Sequence, residues 1–78
     1  MVAKESSERI FNRIKVLRAD RGVSRRQLAE DLGVHYQTIG YLERGEYSPS
    51  LALALRIARY FDVPVERLFS LEEFPPLR

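Results

Sequence analysis

An all-α domain of five helices is the fold this sequence predicts, on three observations. Apolar residues recur at spacings of three and four; serine, glycine and proline fall between those stretches, where helices start and stop; and no segment alternates with period two between hairpin turns, so no sheet is expected. With 78 residues the chain is expected to form one domain around a single modest core. The predicted division is a flexible N-terminal arm over 1–7, the folded domain over 8–70 and a C-terminal tail over 71–78.

The elements follow in order. Ser6 or Ser7 can cap a first helix with Ile10, Ile14 and Leu17 on one stripe and Arg9, Arg13, Lys15 and Arg18 on other faces, ending near Arg21-Gly22. A second helix starts at Ser24, whose hydroxyl can accept from the Gln27 backbone while the Gln27 side chain reaches back to complete a capping box; Leu28, Ala29 and Leu32 face inward. Gly33 ends it, and a third helix runs over 35–44 with Ile39 and Leu42 inward and Gly45 closing it. Ser48-Pro49-Ser50 forms a loop and a cap for a fourth helix from Leu51 to Phe61, and Asp62-Val63-Pro64 begins a last short one through Phe69. Leu71 to Arg78, with Pro75-Pro76, reads as an extended tail.

Composition excludes several classes of function. Without cysteine there is neither a disulfide framework nor a thiolate metal site, and His35, the single histidine, cannot build a zinc site alone; no metal or cofactor is expected. The N-terminus lacks the apolar core of a secretory signal, and no stretch approaches the roughly 18 apolar residues of a membrane span, so a cytoplasmic protein with no membrane partner is expected. Nothing pairs a nucleophile with a base, forms a glycine-rich phosphate loop or sets two carboxylates in a cleft, so no enzyme is expected. The net charge is only +2, but arginines crowd the first two thirds of the chain and imply a basic face.

Two short helices joined by a glycine turn carry the functional reading. A tight turn between helices crossing at about 90–120° needs a residue that tolerates positive φ, which Gly33 supplies, and a small residue such as Ala29 lets the helices approach. The third helix then protrudes at its N-terminal end, presenting Tyr36, Gln37, Thr38 and Tyr41 outside the Ile39/Leu42 stripe. A DNA major groove about 12 Å wide admits one helix; glutamine can bond adenine bidentately, and threonine or tyrosine can meet a thymine methyl or a phosphate. Arg25 and Arg26 open the second helix against its dipole preference, which favours a phosphate-facing role over a stabilising one.

The run from Ser24 to Val34, then Thr38-Ile39 with Leu42-Glu43-Arg44-Gly45, then Pro49-Ser50-Leu51 and Phe61 to Phe69, resembles the Cro/C1-type (XRE-like) helix-turn-helix family of phage repressor and Cro proteins. The match spans almost everything between Ile10 and Phe69. The resemblance implies a five-helix, lambda-repressor-like DNA-binding fold whose third helix is the recognition helix. It assigns base-edge contacts to Tyr36, Gln37 and Tyr41, and phosphate contacts to Arg25, Thr38, and Arg44 or the backbone around it; it also implies that Arg18 pairs with Glu43. The sequence departs from the family pattern at His35, where a serine or threonine cap is common, and at Gly40 in mid-helix.

Plainer readings stand beside these. His35 is expected to donate to a phosphate or to water at the helix start rather than to act as a pH switch, and Gly40 either admits close backbone approach to DNA or relieves crowding against another part of the fold. On the fourth helix Leu51, Ala54, Leu55, Ala58 and Phe61 form the expected core stripe, while Leu53, Ile57 and Tyr60 form a second apolar face that can meet the last helix, through Val65, Leu68 and Phe69, or another copy; some of each is expected, with a two-fold interface through Leu53, Ile57, Tyr60, Val65 and Phe69 favoured. A homodimer would suit a near-palindromic double-stranded operator, with steric repression of transcription as the expected outcome. The tail around Phe74-Pro75-Pro76-Leu77 is expected to be disordered, with extension of the interface or binding of a protein partner as alternatives. An antitoxin or restriction-modification controller of the same fold, or an interaction module that has lost DNA binding, are the competing functions; the last would show an acidic or apolar recognition face.

Overall fold

The computed structural model describes residues 8–76; the arm over 1–7, with the candidate caps Ser6 and Ser7, lies outside the described residues, as do Leu77 and Arg78. The chain order is β1 (Phe11–Asn12), α1 (Ile14–Arg21), α2 (Arg25–Leu32), α3 (Tyr36–Glu43), α4 (Leu51–Phe61), α5 (Val65–Leu68) and β2 (Phe69–Ser70). The five expected helices are present. The expectation of no sheet needs correction: β1 and β2 pair antiparallel, Phe11 opposite Ser70 and Asn12 opposite Phe69. Each strand has two residues, too few for alternation to register in a sequence.

This pairing also moves the start of α1. Extended backbone at Phe11–Asn12 keeps Ile10 out of the helix, and Asn12 begins it from outside: its Oδ1 accepts from the Ile14 N–H at 3.1 Å while its Nδ2 donates to the Leu42 carbonyl at 2.8 Å. One side chain thus satisfies an open donor at the start of α1 and an open acceptor at the end of α3.

At α2 the Ser24 hydroxyl accepts from the Gln27 N–H at 3.0 Å, as expected, but the Gln27 side chain turns forward to Asp31 (Nε2 to Oδ1, 2.8 Å), so only half of the expected capping box forms. Gly33 takes φ +73°, and the Val34 N–H bonds back to the Ala29 carbonyl at 3.0 Å, which closes the turn into α3. Ala29 is almost wholly covered at the α2–α3 approach. Ser50 caps α4 by accepting from the Leu53 N–H at 3.1 Å. Asp62 ends α4 with φ +58°, a left-handed cap supplied by a short polar side chain in place of glycine.

Among the described residues, the core joins Ile14 of α1, Leu28, Ala29 and Leu32 of α2, Ile39 and Leu42 of α3, Leu53, Ile57, Ala58 and Phe61 of α4, and Leu68 of α5. Burying each of the larger side chains contributes about 1.5–3 kcal/mol. This corrects the assignment of α4's faces: Leu53 and Ile57 belong to the core, whereas Leu51 and Leu55 are 73% and 49% exposed. Tyr60 is half-buried and its hydroxyl donates to Asp31 at 2.6 Å, joining α4 to α2. Beyond β2, Phe74 lies under the Arg13 guanidinium, 4.4 Å from ring centroid to Cζ, and Arg13 also donates to the Pro75 carbonyl.

Candidate nucleic-acid interface

The third helix owes its placement to its two ends and its apolar face. His35 itself caps it: Nδ1 accepts from the Gln37 N–H at 3.1 Å, so the imidazole fills the post at which the family commonly uses a hydroxyl. Ile39 and Leu42 are anchored in the core. At about 100° per residue, that anchoring turns Tyr36, Gln37, Gly40, Tyr41 and Arg44 to the opposite side. Tyr36 and Tyr41 are 40% and 45% exposed, Gln37 is exposed, and Thr38 lies half-buried at the edge.

An ion network fixes this helix to the scaffold. Glu43 is 3% exposed at its side chain and accepts from Arg18 of α1 (Nε to Oε2, 2.6 Å) and from Arg25 of α2 (Nε to Oε1, 3.0 Å). Arg18 is itself largely covered and also donates to the Val23 carbonyl at 3.1 Å. The hydrogen bond that Arg25 donates to Glu43, then the charge of that carboxylate, raises the Arg25 pKa above the ordinary arginine value. Two guanidinium groups thus share one carboxylate, which leaves surplus positive charge beside α3. The Arg26 guanidinium lies 4.7 Å from the centre of the Tyr36 ring, extending this charge along the N-terminal side of α3.

At the other end, the Arg44 side chain folds back over the same face. Its Cζ lies 5.3 Å from the Tyr41 ring centre, its Nε donates to Glu46 at 3.1 Å, and its Nη1 would stand 3.2 Å from a Cβ built on Gly40. No other part of the fold crowds Gly40: the atoms nearest the position of a Cβ belong to Arg44, which ends the same helix.

Arg25, Arg26, Tyr36, Gln37, Tyr41 and Arg44 therefore line two adjoining hollows on one side of the α2–α3 unit, whereas His35 stands at the cap of α3 and Thr38 borders a separate hollow beyond Tyr41. The expected interface set packs on the core of its own chain instead. Leu53 and Ile57 are buried within the subunit, while Tyr60, Val65 and Phe69 remain half-buried at its surface. Reading the sequence missed Glu46 and Tyr47, which border a hollow with Thr38 and Tyr41. The signal available was the run of tyrosines at 36, 41 and 47. It also missed the second partner of Glu43, because arginines 18 and 25 positions away in sequence meet only through the fold.

A turn that leaves one polar helix face exposed between arginines, on a five-helix scaffold, defines the class of helix-turn-helix DNA-binding proteins. The helix-turn-helix family model matches residues 14–68, and the chain belongs to this Cro/C1-type family of DNA-binding transcription regulators, a family that is not one of enzymes. Over 62 residues the chain is 47% identical to the HTH-type transcriptional regulator YgzD of Bacillus subtilis, covering 80% of this chain and 94% of that protein. It is 44% identical, over the same shares of the two chains, to an HTH-type transcriptional regulator of Methanocaldococcus jannaschii. A crystal structure from Bacteroides fragilis, of a chain described as a candidate DNA-binding protein, superposes with a TM-score of 0.71 at 31% identity, covering 78% of this chain and 98% of that one. Among the described residues no helix is long and apolar enough to cross a membrane.

Proposed function

We propose that this regulator binds a near-palindromic operator as a homodimer, lays α3 in the major groove, and represses by occupying the site. The observation that carries this reading is the outer face of α3: Tyr36, Gln37 and Tyr41 exposed between Arg25 and Arg26 at one end and Arg44 at the other, with Ile39 and Leu42 buried behind. Gln37 has the bidentate chemistry for adenine, the tyrosines offer apolar edges and hydroxyls, and Arg25 and Arg26 stand where phosphates flank a docked helix. This face is neither acidic nor predominantly apolar, which disfavours an interaction module that has lost DNA binding. With Leu53 and Ile57 committed to the core, the apolar surface offered to a second copy is Leu51 and Leu55, one turn apart on α4.

Titrating the protein against a labelled random duplex across about 50 to 200 mM salt tests the electrostatic part of the reading. Affinity that falls steeply as salt rises is expected from counterion release; DNA retention absent at the low end of that range would remove the proposed function.

A further inference from the structure

Gly40 and Arg44 are the two residues of α3's outer face that the assignment of base contacts leaves aside. They stand four residues apart, Arg44 as the cap that ends α3, so they lie on one stripe, and the Cα–Cβ bond of Arg44 points toward the helix N-terminus. The Arg44 side chain therefore runs back along α3 into the space above Gly40, toward Tyr36 and Gln37, rather than outward to the rim where a phosphate contact would sit. Its guanidinium packs on the bare glycine backbone, with Nη1 3.2 Å and Nη2 3.9 Å from the position a Cβ would occupy. One side is bordered by the Tyr41 ring at 5.3 Å. A cleft of about 180 Å³ opens there between Arg25, Tyr36, Gln37, Gly40, Tyr41 and Arg44.

The orientation of the group matters as much as its place. Arg44 spends its Nε on Glu46, at 3.1 Å, so the two terminal nitrogens keep their hydrogens for another partner. Two parallel N–H donors on a planar group match the O6 and N7 acceptors of guanine in the major groove, whereas a phosphate would be served as well from a rim position.

Resting on the DNA-reading function proposed above, we propose that Arg44 is a fourth base-reading residue, selective for a guanine in each half-site. Gly40 provides its seat and Glu46 its orientation, making both positioning residues. The phosphate role assigned to Arg44 from the sequence is replaced by a specificity role.

The test compares the unsubstituted protein with Arg44→Ala, Gly40→Ala and Glu46→Gln on the selected operator and on the set of single base-pair changes in one half-site. Arg44→Ala is expected to flatten discrimination at one G·C pair by about ten- to hundredfold, with preferences at the Gln37 position intact and the salt dependence little changed. Gly40→Ala improves intrinsic helix propensity yet should lose discrimination at the same pair, because its methyl displaces the guanidinium. Glu46→Gln should lose part of it. Loss of affinity shared equally by all sequences in Arg44→Ala, with the salt slope reduced by about one per subunit, would return Arg44 to the phosphates and overturn the proposal. Circular dichroism of each variant separates these outcomes from misfolding, and Arg44→Lys, which keeps the charge but not the fork, gives a second reading: retained guanine preference also overturns it. If the unsubstituted protein selects no operator, the DNA-reading function falls and this inference with it; a selected operator with uniform losses removes the inference alone.

Discussion

Glu43 serves two arginines with one carboxylate, and the consequences differ for each. Arg18 is largely enclosed and has the shorter bond, so Arg18→Ala leaves a 3% exposed carboxylate with half its partners. A loss of about 1.5–3 kcal/mol in urea unfolding is expected, with helix content retained in the folded state. Arg25 is more exposed, and the proposed function gives it a phosphate contact; Arg25→Ala should then lower affinity for every duplex and reduce the salt slope by about one per subunit, as titrations on cognate and random DNA would show. Gln37→Ala should instead weaken cognate binding by about 1–3 kcal/mol and leave random DNA unaffected; equal losses on both would remove Gln37 from base reading. Tyr60 carries a pH-dependent link. Its bond to Asp31, then partial burial and the carboxylate charge, raise the phenol above its ordinary 10.0. The bridge needs the protonated phenol, so its contribution is complete below the unfolded tyrosine's pKa and is lost as pH rises through the higher folded value. The unfolding midpoint should fall above pH about 10, and by less in Tyr60→Phe; an equal fall in both would deny the bond its role.

At the level of elements, helix existence was legible in the sequence and helix facing was legible for α2 and α3 but not for α4. Leu28-Ala29-Leu32 and Ile39-Leu42 each leave a single apolar stripe, so only one side can turn inward. Along α4 two stripes adjoin and share Ala54, Ala58 and Phe61 as a common flank. Spacing alone cannot choose between Leu51/Leu55 and Leu53/Ile57, because the choice is made by where α2 and α5 lie across the core. The correction reverses what substitutions should do. Ile57→Ala should cost about 2–5 kcal/mol in chemical unfolding, the loss expected of a truncated core side chain. Leu51→Glu with Leu55→Glu should keep the fold and reduce the solution mass to that of one chain; an unchanged dimer mass by sedimentation would place the interface elsewhere. The caps divide the same way. Ser24 and Ser50 act over three residues of local chain and were readable, whereas Asn12 reaches α3 and Gln27 is drawn forward by Asp31, both set by tertiary placement.

For the whole molecule, the two-residue strands near either end of the folded part tie α1 to α5 beside the recognition unit, and Asn12 passes that tie on to the end of α3. The scaffold is thereby tied to the α3 face through the strand pair and Asn12. The class of protein could be read from spaced apolar, serine and glycine positions, whereas the inward fold of Arg44 over Gly40 required the structure. Two copies related by a two-fold axis would set their α3 helices about 34–36 Å apart, one turn of DNA. Selection of bound sequences from a random duplex library at two salt concentrations measures this claim most directly. A two-fold reader of the major groove is expected to enrich a near-palindrome whose half-sites are centred one helical turn apart and whose retention weakens at the higher salt. Enrichment of no sequence, or of a single asymmetric half-site bound by one chain, would contradict the claim.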